Sequence, residues 1–345
     1  MRRCTCLTLP LLAALVGCSN TPPGNTGPAA SPGSGASVAG EGSSVTVAFV
    51  TNNAHEFWTI ARKGTEKAAK ELNVEVAFRM PAQGSATEQR QLIEDLLVQG
   101  VKGIAVSPND PTNQAEFFDE VAGKVPLITQ DSDLPKGSKR LCFLGTDNYK
   151  AGKAAGKLVK EALPEGGRVA IFVGNTDAQN AIDRRQGVLD ELAGSEKATG
   201  SDLGNYTLIG TYTDNTDKEV CKSKAEDALV QHGNNPETLC LVGLWAYNPP
   251  AMLAAVKDIG LAGKVKIVGF DENEETLQGI KDGEIIGTVV QQPFEFGYQA
   301  VKMLVRLAQG DKSVLPADGM QLIDYKVIKS DNVEAFHEEL QKLKQ

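Results

Sequence analysis

The stretch from Ser44 to Leu72 constrains the fold most, because its pattern changes from strand to helix within a short distance. It opens with the apolar, β-branched run Val45 to Val50, which is typical of a buried strand. The polar residues Thr51 to Asn53 interrupt this run, and apolar residues then recur at helical spacing from Phe57 onward. The stretch therefore predicts a strand, a polar loop that carries two aromatic residues, and a helix.

The same alternation of strand and helix patterns recurs along the chain and starts afresh at Tyr149. It ends with an expected last strand, Leu322 to Ile328, and a polar closing helix, Val333 to Leu343. Alternating strands and helices indicate right-handed βαβ units and parallel sheets. We therefore expect an α/β fold of two doubly wound lobes that face each other.

Polar or aromatic residues follow nearly every expected strand. In an open α/β sheet, ligands bind beyond the carboxyl ends of the strands. We expect these residues to line one cleft from both sides. They are Thr51, Ser107, Asp131, Thr146, Asn175, Asn215, Trp245, Asp271 and Gln291.

The N-terminus has the pattern of an export signal. Two arginines precede the apolar stretch Leu7 to Val16, and Leu15 to Cys18 resembles a bacterial lipobox, in which the cysteine is lipidated. We predict a signal peptide with lipobox over residues 1–18, lipidation at Cys18, and a flexible Pro-, Gly- and Ser-rich linker over residues 19–43. The protein is then exported and lipid-anchored at the extracytoplasmic or periplasmic face of a bacterial membrane. A plain signal peptide with an incidental cysteine is the alternative.

Charge and motifs exclude several function classes. The net charge of −9 argues against nucleic acid as a partner. The chain has no HExxH, Walker A, Gly-x-Ser-x-Gly or dinucleotide motif, and its three histidines are scattered. We therefore expect neither an enzyme nor a cofactor or metal site. A transcriptional repressor is not expected either, because no helix-turn-helix pattern precedes Val45.

Three cysteines follow the lipobox. Cys142 and Cys240 lie in apolar strand patterns and are expected to be buried thiols. A Cys221–Cys240 bridge stays open as an alternative.

From about Val45 to Ile328 the chain resembles the ribose-binding-like family of periplasmic binding proteins, the sugar receptors of ABC transporters. The resemblance rests on six segments, of which Gly-Phe-Asp and the Gln before Pro are the most specific. The segments are Asn53 to Trp58, Ser107-Pro108, Ile128 to Asp131, Thr146 to Asn148, Val268 to Asp271, and Gly287 to Pro293.

The resemblance implies a type I periplasmic binding protein whose two lobes are joined by a three-crossing hinge. The implied crossings lie near Thr146–Tyr149, Gln291–Phe294 and Met320–Asp324. One lobe would comprise residues 44–147 with 292–320, and the other residues 148–291 with 321–345. The implied partners are a monosaccharide or small polyol and an ABC permease, with the receptor acting as a monomer. A sugar or autoinducer sensor that signals to a membrane kinase or chemoreceptor is the alternative.

The resemblance also implies roles for single residues. Asp131 and Asp271 would accept sugar hydroxyls, Gln291 would reach the ligand from the hinge, and Arg184 would contact it from a helix of the second lobe. Phe57 and Trp58 would stack on the sugar, with Phe270 beside Asp271. His55 and Ser132 stand where the ribose receptor has Asn and Arg, and Asn175, Asn215 and Tyr247 also depart from its pattern, so we do not name the sugar.

Each of these residues also has a structural interpretation. Phe57 and Trp58 could be core aromatics, and the two aspartates could be helix caps or turn residues. Arg184 could be a solvated helix charge, Trp245 and Tyr247 could serve lobe packing, and His55 could be a surface residue. We interpret the acidic run Asp271 to Glu275 as a solvated helix start.

Overall fold

The computed structural model describes residues 45–344, which belong to one compact unit. The predicted signal peptide, the lipidation site Cys18 and the linker lie outside the described residues. Within the described part of the chain, no helix is long and apolar enough to cross a membrane.

Strands and helices alternate over most of the described chain. The strands are β1 (Thr46–Val50), β2 (Glu75–Arg79), β3 (Ile104–Val106), β4 (Leu127–Gln130), β5 (Cys142–Gly145), β6 (Gly167–Val173), β7 (Asp202–Leu203), β8 (Tyr206–Thr213), β9 (Leu239–Gly243), β10 (Lys266–Phe270), β11 (Gly287–Val290), β12 (Met320–Leu322) and β13 (Lys326–Ile328). The helices are α1 (Glu56–Leu72), α2 (Ala86–Val98), α3 (Ala115–Ala122), α4 (Asn148–Ala162), α5 (Gln179–Ala193), α6 (Lys218–His232), α7 (Asn248–Asp258), α8 (Glu274–Lys281), α9 (Pro293–Ala308) and α10 (Val333–Lys344). Short 3-10 helices lie at Pro236–Thr238 and Lys312–Val314.

The strands form two sheets. The first has the order β12-β5-β4-β3-β1-β2 with every pair parallel. The second has the order β13-β11-β10-β9-β6-β8-β7, and only its short edge strands β13 and β7 pair antiparallel. We call each sheet with the helices packed on it the first and the second lobe. The predicted class, two doubly wound α/β lobes, is confirmed.

Both faces of each sheet are covered, which explains why the strands are continuously apolar. In β1, Val47 and Phe49 pack in one core cluster with residues of α1 and α9. The intervening Ala48 and Val50 pack in another with residues of α2 and α3. This arrangement leaves the carboxyl ends of the strands as the open edge of the sheet.

The predicted last strand is wrong in its extent, because two strands replace it. Met320–Leu322 pairs parallel with β5 in the first sheet, and Lys326–Ile328 pairs antiparallel with β11 in the second. The turn between them carries the chain from one lobe to the other, and the predicted lobe boundary at residue 320 falls inside β12. The other two crossings lie between β5 and α4 and between β11 and α9. The short strand Asp202–Leu203 was not predicted.

The cysteines in the described chain are free and buried. The Cys221–Cys240 bridge that the sequence left open is therefore not formed. Cys221 instead lies within reach of the Asn248 side-chain amide, whose nitrogen is 3.4 Å from its sulfur.

Two helix pairs approach each other at glycines. A Cβ atom placed on Gly64 of α1 would lie 1.9 Å from the Phe294 carbonyl oxygen of α9. In the second lobe, a Cβ on Gly152 of α4 would lie 2.1 Å from the Arg184 carbonyl oxygen of α5. Side chains at these positions would push the helices apart, since backbone on the facing helix cannot move aside cheaply.

We predict that Gly64→Ala lowers the free energy of unfolding by roughly 1–3 kcal/mol, the usual cost of overpacking. Urea denaturation followed by circular dichroism would measure it. Gly123→Ala is the matched control, because its Cβ would meet its neighbours at an ordinary 3.4 Å and its φ is negative. Equal stability of the two variants would contradict the close α1–α9 contact.

Candidate functional site

The centre of the candidate site is Arg184, which lies on α5 and is 1% exposed. Its Nη2 lies 3.7 Å from the carboxylate of Asp131, and its Nη1 lies 4.0 Å from that of Asp271. Asp131 directly follows β4 of the first lobe, and Asp271 directly follows β10 of the second. The guanidinium group therefore lies between carboxylates of both lobes, and the interpretation of Arg184 as a solvated helix charge is wrong.

Further contacts hold the guanidinium in place. Its Nε donates to Asn148 Oδ1 at 2.8 Å and its Nη1 to the Leu244 carbonyl at 2.9 Å. Its central carbon lies 4.2 Å from the centre of the Phe270 ring, which is a cation–π arrangement. The Phe270 ring therefore packs against the Arg184 guanidinium group.

The two aspartates share an unusual backbone conformation. Both have a positive φ, 62° at Asp131 and 63° at Asp271. Such values are uncommon outside glycine, and Asp tolerates them better than most residues. Because neither aspartate begins a helix, the helix-cap interpretation is wrong, although both occupy turns after a strand.

Burial dominates the electrostatics of this group. It raises the pKa of the Asp131 carboxyl, which Arg184 opposes, and it raises the pKa of Asp271 to about 6. Burial also lowers the pKa of Arg184 from its usual range, against the attraction of the two carboxylates. Because water solvates these buried groups poorly, the charged form of each is stabilised mainly by the opposite charges beside it.

The residues at the strand ends enclose an inner cavity of about 220 Å³ between the lobes. Nine of the predicted site residues line it. They are His55, Phe57, Trp58, Asp131, Arg184, Trp245, Tyr247, Asp271 and Gln291. Asn175 and Asn215 instead line an outer cavity of about 570 Å³, which shares Asn52, Asn53, His55 and Trp245 with the inner one.

Four predicted residues line neither cavity and are buried in the protein interior. Ser107 donates its hydroxyl to Asp131 Oδ2 at 3.0 Å and so orients that carboxylate. Thr51 donates to the Asn53 carbonyl at 2.6 Å and shapes the loop before α1. Thr146 is buried near the first crossing, and Phe270 lies beneath Arg184.

The aromatic residues combine packing with exposure to the cavity. Trp58 is 2% exposed and packs edge-on against Phe57. Its packing is that of a core aromatic residue, as the structural interpretation expects. Its Nε1 donates to Asn52 Oδ1 at 3.0 Å. Across the cleft, the His55 ring stacks on Tyr247 of the second lobe with centroids 5.3 Å apart. His55 is thus a contact between the lobes and not merely a surface residue, and burial lowers its pKa.

Tyr247 is held by its own lobe, as its packing interpretation expects. Its hydroxyl donates to Asp214, which also accepts from the Asn248 side chain at 3.0 Å. Trp245 packs edge-on against Tyr247, and its indole Nε1 is buried without a partner in the described chain. Trp245 therefore packs within its lobe, lines both cavities and has an indole N–H without a partner in the described chain.

Sequence reasoning missed eight residues of the inner cavity. Asn180 lies one turn before Arg184 on α5 and donates to Asp131 at 3.4 Å, so helical spacing could have identified it. Glu272 is only 5% exposed, so its assignment to a solvated helix start is wrong. The complete set is Asn52, Asn53, Glu56, Asn180, Lys218, Ala246, Glu272 and Asn273. Within residues 45–344, no cluster of His, Cys, Asp or Glu has the geometry to hold a metal ion.

Known proteins resemble this chain over most of its length. Residues 47–312 match the family model described as "Periplasmic binding protein domain". The D-allose-binding periplasmic protein of Escherichia coli is 29% identical over 283 residues, which are 79% of this chain and 86% of that protein. The ribose import binding protein of Bacillus subtilis is 26% identical over 258 residues, 74% of this chain and 79% of that one.

Solved structures agree with these sequence matches. A solute binding protein of an ABC transporter from Burkholderia graminis, solved with D-arabinose, has a TM-score of 0.75 and 29% identity, and the match covers 84% of this chain and 96% of that one. A glucose-galactose binding protein from Geobacillus stearothermophilus has a TM-score of 0.75 and 26% identity, with 84% and 98% covered. The resemblance drawn from the sequence is confirmed.

We predict that Arg184→Met destabilises the protein by roughly 3–5 kcal/mol at neutral pH, because two buried carboxylates lose their counter-charge. Their folded-state pKa values would rise further above the unfolded values, so the folded state would bind more protons than the unfolded state. Stability would then increase as the pH falls. Urea denaturation would show a smaller difference in the free energy of unfolding between the variant and the wild type at mildly acidic pH than at neutral pH.

Arg185→Met is the control for this substitution. Arg185 is the next residue on the same helix, is less buried, and donates to Thr211 Oγ1 at 2.9 Å. We expect a cost of about 1 kcal/mol or less, without the acid-dependent recovery. Equal and pH-independent losses in both variants would contradict the role given to Arg184.

Proposed function

This chain belongs to the periplasmic binding protein domain family, and we propose that it is an extracytoplasmic receptor that binds a monosaccharide or small polyol and delivers it to an ABC importer. It makes and breaks no bond, since the family is one of solute receptors and not of enzymes. The predicted site residues are proposed as its ligand-binding set.

One observation carries the proposal: several residues that line one inter-lobe cavity have buried polar atoms without hydrogen-bond partners in the described chain. Arg184 Nη2 and Trp245 Nε1 are donors without a hydrogen-bond partner among residues 45–344, and Asn180 Oδ1 and Gln291 Oε1 are acceptors without one. Sugar hydroxyls both donate and accept, so a single polyhydroxylated ligand could satisfy all four atoms. Phe57 and Trp58 also line the cavity, and their aromatic side chains can make apolar contacts with the C–H groups of a sugar ring.

The relatives support the sugar class. Two of the matched proteins bind D-allose or serve ribose import, and one matched structure holds D-arabinose. Pentoses and hexoses both occur among them. We therefore propose the class and leave the individual sugar to experiment.

Contacts between the lobes support a closing mechanism. Asp131 of the first lobe accepts from Asn148 and Asn180 of the second, at its carbonyl and carboxylate respectively, and His55 stacks on Tyr247. A ligand in the cavity would touch both lobes at once, so it would favour the closed arrangement over the open one. The three crossings would limit the motion to opening and twisting.

Export and delivery complete the proposal. Membership of a periplasmic binding family implies an extracytoplasmic location. We propose lipidation at Cys18 as the anchor and a permease as the partner. The alternative role of a sensor has no observation in its favour.

A thermal-shift screen of the chain from Ser44 onward against pentoses, hexoses and polyols tests the sugar class. With the best ligand in hand, we predict that Asp131→Ala weakens binding by roughly 2–5 kcal/mol, or about 30- to 4000-fold, because a buried hydroxyl partner is lost. Isothermal titration calorimetry would measure the change. Asp258→Ala is the control, since that carboxylate is 59% exposed and pairs with Lys222 outside the cleft. A change in Asp131→Ala below about threefold would contradict the site assignment.

We predict that Cys18→Ala releases the exported protein from the membrane, because the lipid attachment point is lost. Detergent phase partitioning of cell fractions would compare it with the unmodified precursor. Equal partitioning of both proteins would show that Cys18 does not anchor the chain.

A further inference from the structure

Glu272 is an anomaly in the inner cavity. It follows Asp271, lines the cavity and is 5% exposed. Neither of its carboxylate oxygens has a hydrogen-bond partner on another residue of the described chain, and the backbone N–H of Glu272 itself is the only donor near them there. By contrast, Asp271 accepts from Gln291 Nε2 at 2.9 Å, and Asp131 accepts from Ser107. A buried carboxyl group with both oxygens unsatisfied is costly, so a compensating partner is expected.

The charges around the cavity are unbalanced toward the negative. Four carboxyl groups line it, namely Glu56, Asp131, Asp271 and Glu272, against the two cations Arg184 and Lys218. His55, the remaining titratable group of the lining besides Tyr247, has its pKa lowered by burial and adds no charge at neutral pH.

The cations within reach already have partners. Arg184 lies between Asp131 and Asp271, and Lys218 pairs with Glu275 at 3.2 Å on the rim. Lys344, which attracts Glu272 through space, contacts Glu56 at 2.9 Å and Glu274 at 2.8 Å. Glu272 is therefore the carboxyl group of the cavity that lacks its own cation.

The free hydrogen-bonding atoms show the same imbalance. Among the described residues that line the inner cavity, two buried donors lack a hydrogen-bond partner, on Arg184 and Trp245, against four such acceptors. The acceptors are the two oxygens of Glu272 and one oxygen each of Gln291 and Asn180. An ammonium group has three donors and no acceptor, so it matches this surplus better than a hydroxyl, which brings one of each kind.

We propose that the cleft selects a monosaccharide that carries an ammonium group, an amino sugar, and that Glu272 is the specificity-determining residue that binds this group. The inference rests on the proposed sugar-binding function. It adds to the proposed contacts of Asp131 and Asp271 a third carboxylate that pairs with the ligand's own charge. The same surplus of carboxylates disfavours sugar acids and sugar phosphates.

The electrostatics of Glu272 agree with this role. Burial, and then the neighbouring Asp271 carboxylate, raise the pKa of Glu272 well above its usual range. A raised pKa means that Glu272 gives up its proton less readily than an ordinary glutamate, because its negative charge has no cation of its own. An arriving ammonium group would supply that cation and so favour the ionised carboxylate. The resulting charge-assisted contact is stronger than one between neutral groups.

Matched sugar pairs test the proposal. Isothermal titration calorimetry at neutral pH, where much of each amino sugar is still protonated, would compare glucose with glucosamine, galactose with galactosamine and mannose with mannosamine. In at least one pair we expect the amino sugar to bind roughly 10- to 100-fold more tightly, the value of one charged hydrogen-bonded contact. The N-acetyl derivative, which has lost the charge, should bind no better than the neutral sugar.

Substitutions then assign the preference to Glu272. In Glu272→Gln, which keeps the shape and removes the charge, the ratio of the two affinities should fall roughly 10-fold or more. The control Glu94→Gln changes an exposed carboxylate that pairs with Arg90 on α2, and it should leave the ratio unchanged. Glu272→Met, which removes both oxygens, should behave as Glu272→Gln does.

Thermal denaturation without ligand separates function from folding. Because an unpaired buried carboxyl group costs stability, both Glu272 variants should melt at the same temperature as the wild type or higher. A lower melting temperature in both variants would overturn the proposal, since Glu272 would then serve the fold.

The remaining outcomes distinguish this proposal from the one on which it rests. Equal affinity within every pair, or a preference that survives in Glu272→Gln, would overturn the amino-sugar inference and leave sugar binding intact. If no sugar of either kind binds, the proposed function itself fails. Tight binding of putrescine, an amine without a sugar ring, would overturn both.

Discussion

The structure depends on a guanidinium group that is buried between carboxylates of two different lobes. Taking such charges out of water is expensive, and only good mutual geometry offsets the cost. Arg184 achieves this through Asn148, the Leu244 carbonyl and the Phe270 ring as well as through Asp131 and Asp271. Its helix must also lie close to α4, which is possible because Gly152 offers no side chain at the contact. The position of the Arg184 guanidinium group between the carboxylates therefore depends on the close packing of α4 against α5.

This arrangement links the chemistry of the site to the motion of the lobes. Asp271 belongs to the same lobe as Arg184, whereas Asp131 approaches from the other side of the cleft. Opening would separate Arg184 from Asp131 and expose both to water, which weakens their attraction but restores their solvation. The two effects oppose each other, so the buried group need not lock the receptor shut. A ligand that bonds to both sides can then decide the balance.

Much of this organisation could be predicted from the sequence, and the failures have physical causes. The buried parallel strands were accessible because both faces of each sheet are covered, which produces unbroken apolar runs such as Val47 to Val50. The residues at the strand ends followed from the topology. The division of Leu322 to Ile328 into two strands was hard to predict, because the turn between β12 and β13 has only one residue unsuited to a strand, Asp324, between the strand-forming Ile323 and Tyr325. The positive φ of Asp131 and Asp271 likewise has no local sequence signal, since the sheet and the loop together impose it.

Glu272 shows most clearly why local composition fails at the site. In the sequence it belongs to an acidic run at the start of a helix, where exposure is the normal expectation. In the structure, Glu274 and Glu275 of that run have the exposed character expected of it, with side chains that are 43% and 61% exposed, whereas Glu272 turns inward. Part of its surroundings comes from the distant ends of the fold, because Lys344 of α10 reaches Glu56 of α1 beside the cavity. Burial is thus set by segments that are far apart in the chain and meet only when the two lobes come together. A substitution at a residue of this kind can change which ligand binds without changing the fold. Proteins that share one fold can in this way bind different sugars.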